Sequence, residues 1–320
     1  MIETAELIRN FDPEVSQKYV QVIQENKKLF LTGEGSSRLF PAKHMIYQNS
    51  ICNCGVEIFT EGASQALEYD LTDSAVFGVS NSGKTKELIK LLKQLKIKDH
   101  KALFGLTANQ GTPVEALCQV SSLLNCGQEK AVAATKSVVE QSLFYHSLYL
   151  NLLGEKMEGL NEFADMVQST LAITLDASLI QKLVEAPVIY FAGRNNGVAE
   201  EIALKTNEIA HKPSAYLEGT YAVHGIEEAL NKKDIILIFD PFIDEEEKFK
   251  EVLVDGIGIE VIAISSRPTK FTNIQIPDAG VYRNYIELVM GWSILVEIGI
   301  QLGLDLDKPE HARKIGNEYE

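Results

Sequence analysis

Six consecutive residues, Ser80-Asn81-Ser82-Gly83-Lys84-Thr85, set three hydroxyls, an amide and a cation between an apolar run, Ala75 to Val79, and an amphipathic stretch that begins at Lys86. A strand that turns at once into a helix presents unpaired backbone N–H groups at the helix start. Hydroxyls beside those groups complete a cradle for a phosphate. A second set lies in the stretch from Val198 to Ala210, where Glu201, Lys205 and Glu208 stand at i, i+4 and i+7 and share one helical stripe. A lysine between two carboxylates can position an anionic ligand while one carboxylate moves protons as a general base. The same spacing also makes an ordinary solvated, salt-bridged face. His224, directly before Gly225, is placed at a turn, and a lysine, Lys314, stands near the C-terminus.

The hydroxyl-rich turn is not alone. Gly35-Ser36-Ser37, Thr107 and the segment Glu129-Lys130-Ala131-Val132-Ala133-Ala134-Thr135-Lys136-Ser137 follow other apolar runs. Any one of these could be a helix cap, the commonest use of Ser and Thr before a helix. Several of them at the carboxyl ends of neighbouring strands argue for a ligand site. Which phosphate they would hold is open at this level. Gly78 to Thr85 satisfies the nucleotide-loop pattern G-x-x-x-x-G-K-[ST], and Ile235 to Asp240 mimics the strand-plus-Asp that accompanies it. A phosphosugar is the other candidate.

These turns need a scaffold, and the apolar runs describe one. Leu29–Thr32, Ile58–Phe59, Ala75–Val79, Ala102–Leu106 and Val120–Leu124 read as strands separated by helical stretches, one running from Lys86 to about Leu95. That alternation implies a parallel sheet covered on both faces. The rhythm then recurs. Val188–Ala192, Asp234–Phe239 and Ile259–Ile264 read as strands of a second copy, and the first strand with its Gly turn returns about 160 residues later. The expected architecture is α/β: two tandem open, doubly wound, flavodoxin-like units at 1–155 and 156–304, joined through helices, with a tail at 305–320.

Composition narrows the function classes. A formal net charge of −15 argues against nucleic acid or an anionic membrane as partner. No apolar run reaches membrane-spanning length, and the start Met1-Ile2-Glu3 lacks the basic and apolar regions of a secretion signal, so the expectation is a soluble, cytoplasmic protein. The four cysteines (52, 54, 118 and 126) have no C-x-x-C spacing, and the six histidines have neither H-x-x-x-H nor H-E-x-x-H. No metal and no cofactor are expected, and the thiols read as small buried or half-buried side chains.

Taken in order, GSS at 35–37, SNSGKT at 80–85, E-x-x-VAATK at 129–136, E-x-x-x-K-x-x-E at 201–208, HG at 224–225 and D-x-D-x-P-x-x-x-x-K at 305–314 resemble the two-domain SIS (sugar isomerase) family. The pattern is similar to the isomerase half of glutamine-dependent glucosamine-6-phosphate synthase and to glucosamine-6-phosphate deaminases. The resemblance implies that Ser80, Asn81, Ser82 and Thr85 hold the sugar phosphate, with Ser36, Ser37, Glu129 and the Val132 backbone lining the sugar site. It implies that Glu208 shuttles a proton between C1 and C2, that Lys205 supports the charge, and that Lys314 faces C2 as a Schiff-base candidate. His224 would open the sugar ring across the interface of a homodimer. Tyr221, Ile226, Ala134 and Arg313 depart from the family pattern around the sugar and dimer loop. No glutaminase segment is seen, which shifts the expectation from synthase to an isomerising deaminase. Other phosphosugar isomerisation, deglycation of a fructosamine phosphate, and non-catalytic phosphosugar binding stay open.

Overall fold

The computed structural model describes residues 1–127, 129, 131, 133–308, 311 and 319. Two of the sequence-derived site residues, Val132 and Lys314, lie outside the described residues. The chain divides into two compact units, the first built on Glu3–Asn161 and the second on Glu162–Pro309. Two parallel five-stranded sheets flanked by helices confirm the expected α/β class.

The first unit runs α1 (Thr4–Arg9), α2 (Gln17–Asn26), β1 (Lys28–Thr32), α3 (Leu39–Ile51), β2 (Glu57–Thr60), α4 (Ala63–Ala66), β3 (Ala75–Val79), α5 (Lys86–Ile97), β4 (Leu103–Thr107), α6 (Pro113–Leu117), β5 (Val120–Leu123) and α7 (Lys136–Leu153). All five residues of β3 and of β4 are buried, as expected of strands covered on both faces. Alternate side chains serve opposite layers. Val76 joins Leu88, Leu91 and Leu92 of α5 on one face. Phe77 packs edge-on to Tyr19 and Phe144 on the other, with ring centroids 4.9 and 5.4 Å apart. The strand order is β2-β1-β3-β4-β5, all parallel.

The second unit follows α8 (Leu160–Leu171) with α9 (Ala177–Glu185), β6 (Ile189–Gly193), α10 (Val198–Lys205), β7 (Ser214–Glu218), β8 (Ile235–Phe239), α11 (Glu246–Phe249), β9 (Glu260–Ser265), β10 (Thr272–Gln275) and α12 (Arg283–Gln301). Its order, β7-β6-β8-β9-β10, is that of the first sheet. The duplication extends to two strands with no counterpart in the sequence reading, β7 and β10. Both are edge strands with one buried residue each, so neither carries the continuous apolar run that marks a central parallel strand. Among the described residues, no helix is long and apolar enough to cross a membrane.

In both units the crossover between the first and third strands leaves a crevice at the carboxyl ends of the sheet, the usual ligand position for this strand order.

Candidate functional site

In the first unit the crevice is lined by the turn after β3. Ser80 is buried and is the hub of that turn. Its Oγ shares hydrogen bonds with Thr85 Oγ1 at 2.8 Å and Ser82 Oγ at 3.5 Å, and accepts from Gly83 N at 3.0 Å. Thr85 occupies the N-cap of α5 yet makes no side-chain capping bond; its hydroxyl is turned to Ser80 instead. These hydroxyls are therefore not ordinary caps, and the first turn of α5 keeps N–H groups that no helical partner can use.

The glycines explain why the turn has this shape. Gly83 has φ +69°, and a Cβ there would overlap Thr112. Gly78, the first glycine of the formal nucleotide-loop pattern, lies inside β3, paired with Thr32 and Gly105. Its missing side chain admits Leu88, whose Cδ1 would be 2.8 Å from a Cβ. The turn proper is thus only Ser80–Thr85, and Lys84 is exposed. A nucleotide loop needs both glycines in the loop and its lysine over the phosphates.

Neighbouring turns clasp this one. The Asn81 carbonyl accepts from Ala108 N at 3.1 Å, Thr107 Oγ1 at 3.3 Å and Asn109 Nδ2 at 2.8 Å. Its side-chain Oδ1 accepts from the Cys126 thiol at 3.6 Å. Glu140, buried in α7, holds the next turn by accepting from Asn125 N and Cys126 N at 2.8 and 2.6 Å. Burial, with the nearby Glu140 carboxylate adding to it, pushes the Cys126 thiol pKa far above its usual range. Cys126 is one of four free cysteines, of which only Cys52 is exposed. Glu129 is buried, and its Oε1 accepts from Thr135 N and Ser137 N, both at 2.9 Å. A carboxylate on the opening N–H groups of α7 complements the helix dipole, so Glu129 anchors the start of that helix. Ser36 and Ser37 form a short 3-10 turn after β1, Ser36 buried and Ser37 half-buried. The backbone N–H of Tyr319 donates to the Lys84 carbonyl at 2.7 Å.

In the second unit the carboxylate–lysine–carboxylate stripe comes together. Lys205 is 1% exposed, with Nζ 2.7 Å from Glu208 Oε2 and 3.4 Å from Glu201 Oε1. Burial alone would depress the ammonium, but the two carboxylates outweigh it and hold its pKa above the ordinary lysine value. Glu201 is fully buried, whereas the Glu208 side chain is 24% exposed and its Oε1 takes no part in the pair. The helix carrying them is not uniform. After α10, residues Thr206–Ala210 form a π-helical turn, an irregularity common at functional sites. Thr206 Oγ1 donates to the Ile202 carbonyl at 2.8 Å and Ser214 Oγ to the Ala203 carbonyl at 2.7 Å, so hydroxyls brace the carbonyls just before the wider turn. Two glycines of α12 make room for it: a Cβ at Gly291 would strike Ile202, and one at Gly299 would lie 2.9 Å from the Ile209 carbonyl. His224 ends a 3-10 turn before Gly225, at φ +103°, and is exposed.

Among the described residues, no three or more His, Cys, Asp or Glu side chains are disposed to hold a metal ion.

The SIS-domain family matches residues 22–151, the part of the chain that holds the hydroxyl cradle. That part of the chain is an SIS domain. The glutamine–fructose-6-phosphate aminotransferase (isomerizing) of Buchnera aphidicola subsp. Baizongia pistaciae is 24% identical over 307 residues. The match covers 85% of this chain and 48% of that protein, so the chain spans about half the length of this curated relative. The fold agrees with the C-terminal domain of glucosamine-fructose-6-phosphate aminotransferase from Francisella tularensis, with a TM-score of 0.78, 18% identity and coverage of 96% of each chain. It agrees also with glucosamine-6-phosphate deaminase from Thermotoga maritima, with a TM-score of 0.69, 19% identity and coverage of 98% of each. The two units are tandem copies of the SIS architecture.

A second cluster escaped the sequence reading. Arg194, Asp240, Arg267 and Arg283 meet at the crevice of the second unit. They share no motif spacing. The only signal was their place, each just after a strand or opening a helix in the second copy.

Proposed function

We propose that this SIS protein interconverts an aldose phosphate and a ketose phosphate, and that its substrate is glucosamine 6-phosphate, converted with water to fructose 6-phosphate and ammonia. The observation that carries this reading is the Glu201–Lys205–Glu208 arrangement. A buried lysine held by one carboxylate lies 2.7 Å from a second, partly exposed carboxylate, an arrangement suited to a base that moves a proton between adjacent carbons. The hydroxyl cradle supplies the complementary half of the chemistry, a place for the phosphate.

In this reading Ser80, Ser82 and Thr85, with Asn81, hold the phosphate. Ser36, Ser37, Glu129 and the Val132 backbone line the sugar site. Glu208 removes the C2 proton of the open-chain sugar while the electron pair moves toward C1, giving an enolamine. Return of the proton to C1 leaves a C2 imine, which water hydrolyses with loss of ammonia. Lys205 stabilises the carboxylate before and after transfer. Lys314 is the candidate for an imine at C2. His224 assists ring opening from a second copy of the chain, and its exposure is compatible with that role. The names of the Buchnera and Thermotoga proteins, an isomerizing aminotransferase and a deaminase, support the same chemistry.

Incubating the full chain with hexosamine phosphates in D2O tests the proposal. The expected products are ammonia and fructose 6-phosphate carrying deuterium at C1. Ammonia from a fructosamine phosphate alone would shift the substrate to a conjugated ketose. Tight fructose 6-phosphate binding with no exchange would leave a binding protein, and neither binding nor exchange would sink the reading. Mixing inactive Glu208→Gln and His224→Ala chains should restore part of the turnover if the histidine crosses a dimer interface.

A further inference from the structure

The two sheets share strand order and register, so residues at their carboxyl ends correspond one to one. Leu29 and Thr32 of β1 face Ala75 and Gly78 of β3, as Ile189 and Ala192 of β6 face Ile235 and Ile238 of β8. The backbone bond from Ser80 N to Leu106 O, 3.0 Å, recurs from Asp240 N to Ile264 O, 2.9 Å. Asp240 therefore stands where the first unit has Ser80, the hub of its cradle. By the same register Arg194 replaces Glu34 and Arg267 replaces Asn109. Arg283 opens α12 as Lys136 opens α7.

Those replacements change the chemistry of the crevice. Asp240 Oδ2 lies 2.9 Å from Arg194 Nη1 and 3.1 Å from Arg283 Nη1, and Oδ1 lies 3.8 Å from Arg267 Nε. Arg194 Nη1 also donates to the Asp240 carbonyl, and its guanidinium lies 4.4 Å over the Phe242 ring. Arg267 is braced by Glu246 Oε1 at 2.6 Å and the Pro241 carbonyl at 2.6 Å. Asp240 is 9% exposed while the three arginine side chains are 21–32% exposed, so the guanidiniums keep an open side. Asp240 holds this position at φ +40°, a conformation uncommon for a residue with a Cβ. A simple ion pair needs one cation. Here three, delivered by three separate segments, converge on Asp240, and two of them also meet a second carboxylate, Arg267 at Glu246 and Arg283 Nε at Glu287 Oε1, 3.5 Å away. Guanidiniums bridging one oxyanion are how proteins hold phosphate.

We propose that the second crevice is a phosphate-monoester site whose ligand position is taken by the protein's own Asp240 carboxylate, so that an external phosphate group competes with an internal one. The proposal rests on the register of the duplication and on the arginine cluster, and is independent of the reaction assigned above.

Inorganic phosphate, titrated calorimetrically into the full chain, is the probe. Asp240→Ser, which installs the residue of the first unit, should bind one more equivalent of phosphate per chain than the unaltered protein. Adding Arg283→Gln should remove that equivalent, whereas adding Ser80→Ala should leave it. A folded Asp240→Ser chain with unchanged stoichiometry, or an extra equivalent that survives Arg283→Gln, overturns the proposal. Should Asp240→Ser not fold, Asp240→Asn keeps the side-chain shape without the charge, and its melting temperature should climb more steeply with phosphate than that of the unaltered chain. Equal slopes overturn the proposal as well.

Discussion

The two crevices share strand order, register and even the backbone bond that pins their central residue, and they differ in what that residue is. The first is built around Ser80, a neutral hub whose hydroxyl bonds other hydroxyls and a backbone N–H. The second is built around Asp240, whose charge is answered by arginines. A fold thus fixes where a ligand can be met but not the chemistry that meets it. Neutral groups hold their geometry through weak bonds that a phosphate can join, whereas a carboxylate among guanidiniums already satisfies its partners. The proton transfer proposed above follows neither crevice and would belong to the helix after β6, where Glu208 of a wider turn pairs with Lys205.

That separation is most severely tested at Glu208. Replacing it by Gln should reduce turnover by about 10²–10⁴-fold, the usual contribution of a general base, and leave phosphosugar affinity within a few-fold. Ser80→Ala should do the opposite and weaken affinity, at a stability cost of about 1–3 kcal/mol for the partners it leaves behind. Steady-state kinetics beside direct binding measurements would read both, and equal losses of affinity in the two variants would break the division between cradle and base.

Lys205→Met comes next in size. It leaves the buried Glu201 carboxylate without its cation and should destabilise the chain by about 3–5 kcal/mol, measured by denaturant unfolding. The corresponding change on the second crevice, Arg283→Gln, leaves two arginines near Asp240 and should cost less. A reversed order would mean that the crevice network, not the α10 stripe, anchors the second unit.

The smallest effect concerns pH and sets the units against each other. In the first unit His44 and His146 are buried between α3 and α7, and burial lowers both pKa values, His146 to about 4. Each stays neutral in the fold but is protonated when unfolded below about 6.5. Stability from the pair is therefore present above that pH and lost as pH falls toward 4. In the second unit burial raises Glu287 to about 8, with Arg283 opposing the shift and Asp240 adding to it. The fold keeps a proton that the unfolded chain releases near 4.5. Its contribution is complete below 4.5 and is lost as pH climbs through 8. Hydrogen exchange should show the first unit loosening at pH 5 and the second at pH 8.5. Glu287→Gln should remove this loss, so that the melting temperature of the variant no longer falls between pH 7 and pH 8.5.

Much of this was legible in the sequence for identifiable reasons. Central parallel strands are buried on both faces, so Phe77 and Leu237 sit in apolar runs that name their strands without a structure. The i, i+4, i+7 spacing of Glu201, Lys205 and Glu208 follows from the helical repeat, and the pairing at 2.7 Å bears out their convergence. The edge strands β7 and β10 were missed because they alternate weakly and lie half in solvent. The π turn has no local sequence signal, and the close approach to it that Gly299 admits comes from about ninety residues away in the chain.

The sequence by itself determined the duplicated α/β plan, the hydroxyl turn and the charged stripe, because each is encoded by residues close together whose spacing matches a helical or extended repeat. Only the tertiary structure decided that Gly78 belongs to a strand, that Thr85 bonds Ser80 rather than capping its helix, and that Asp240 and three arginines replace the cradle in the second copy. Those facts depend on which strand ends lie side by side, and parallel strands bring together residues that are dozens of positions apart.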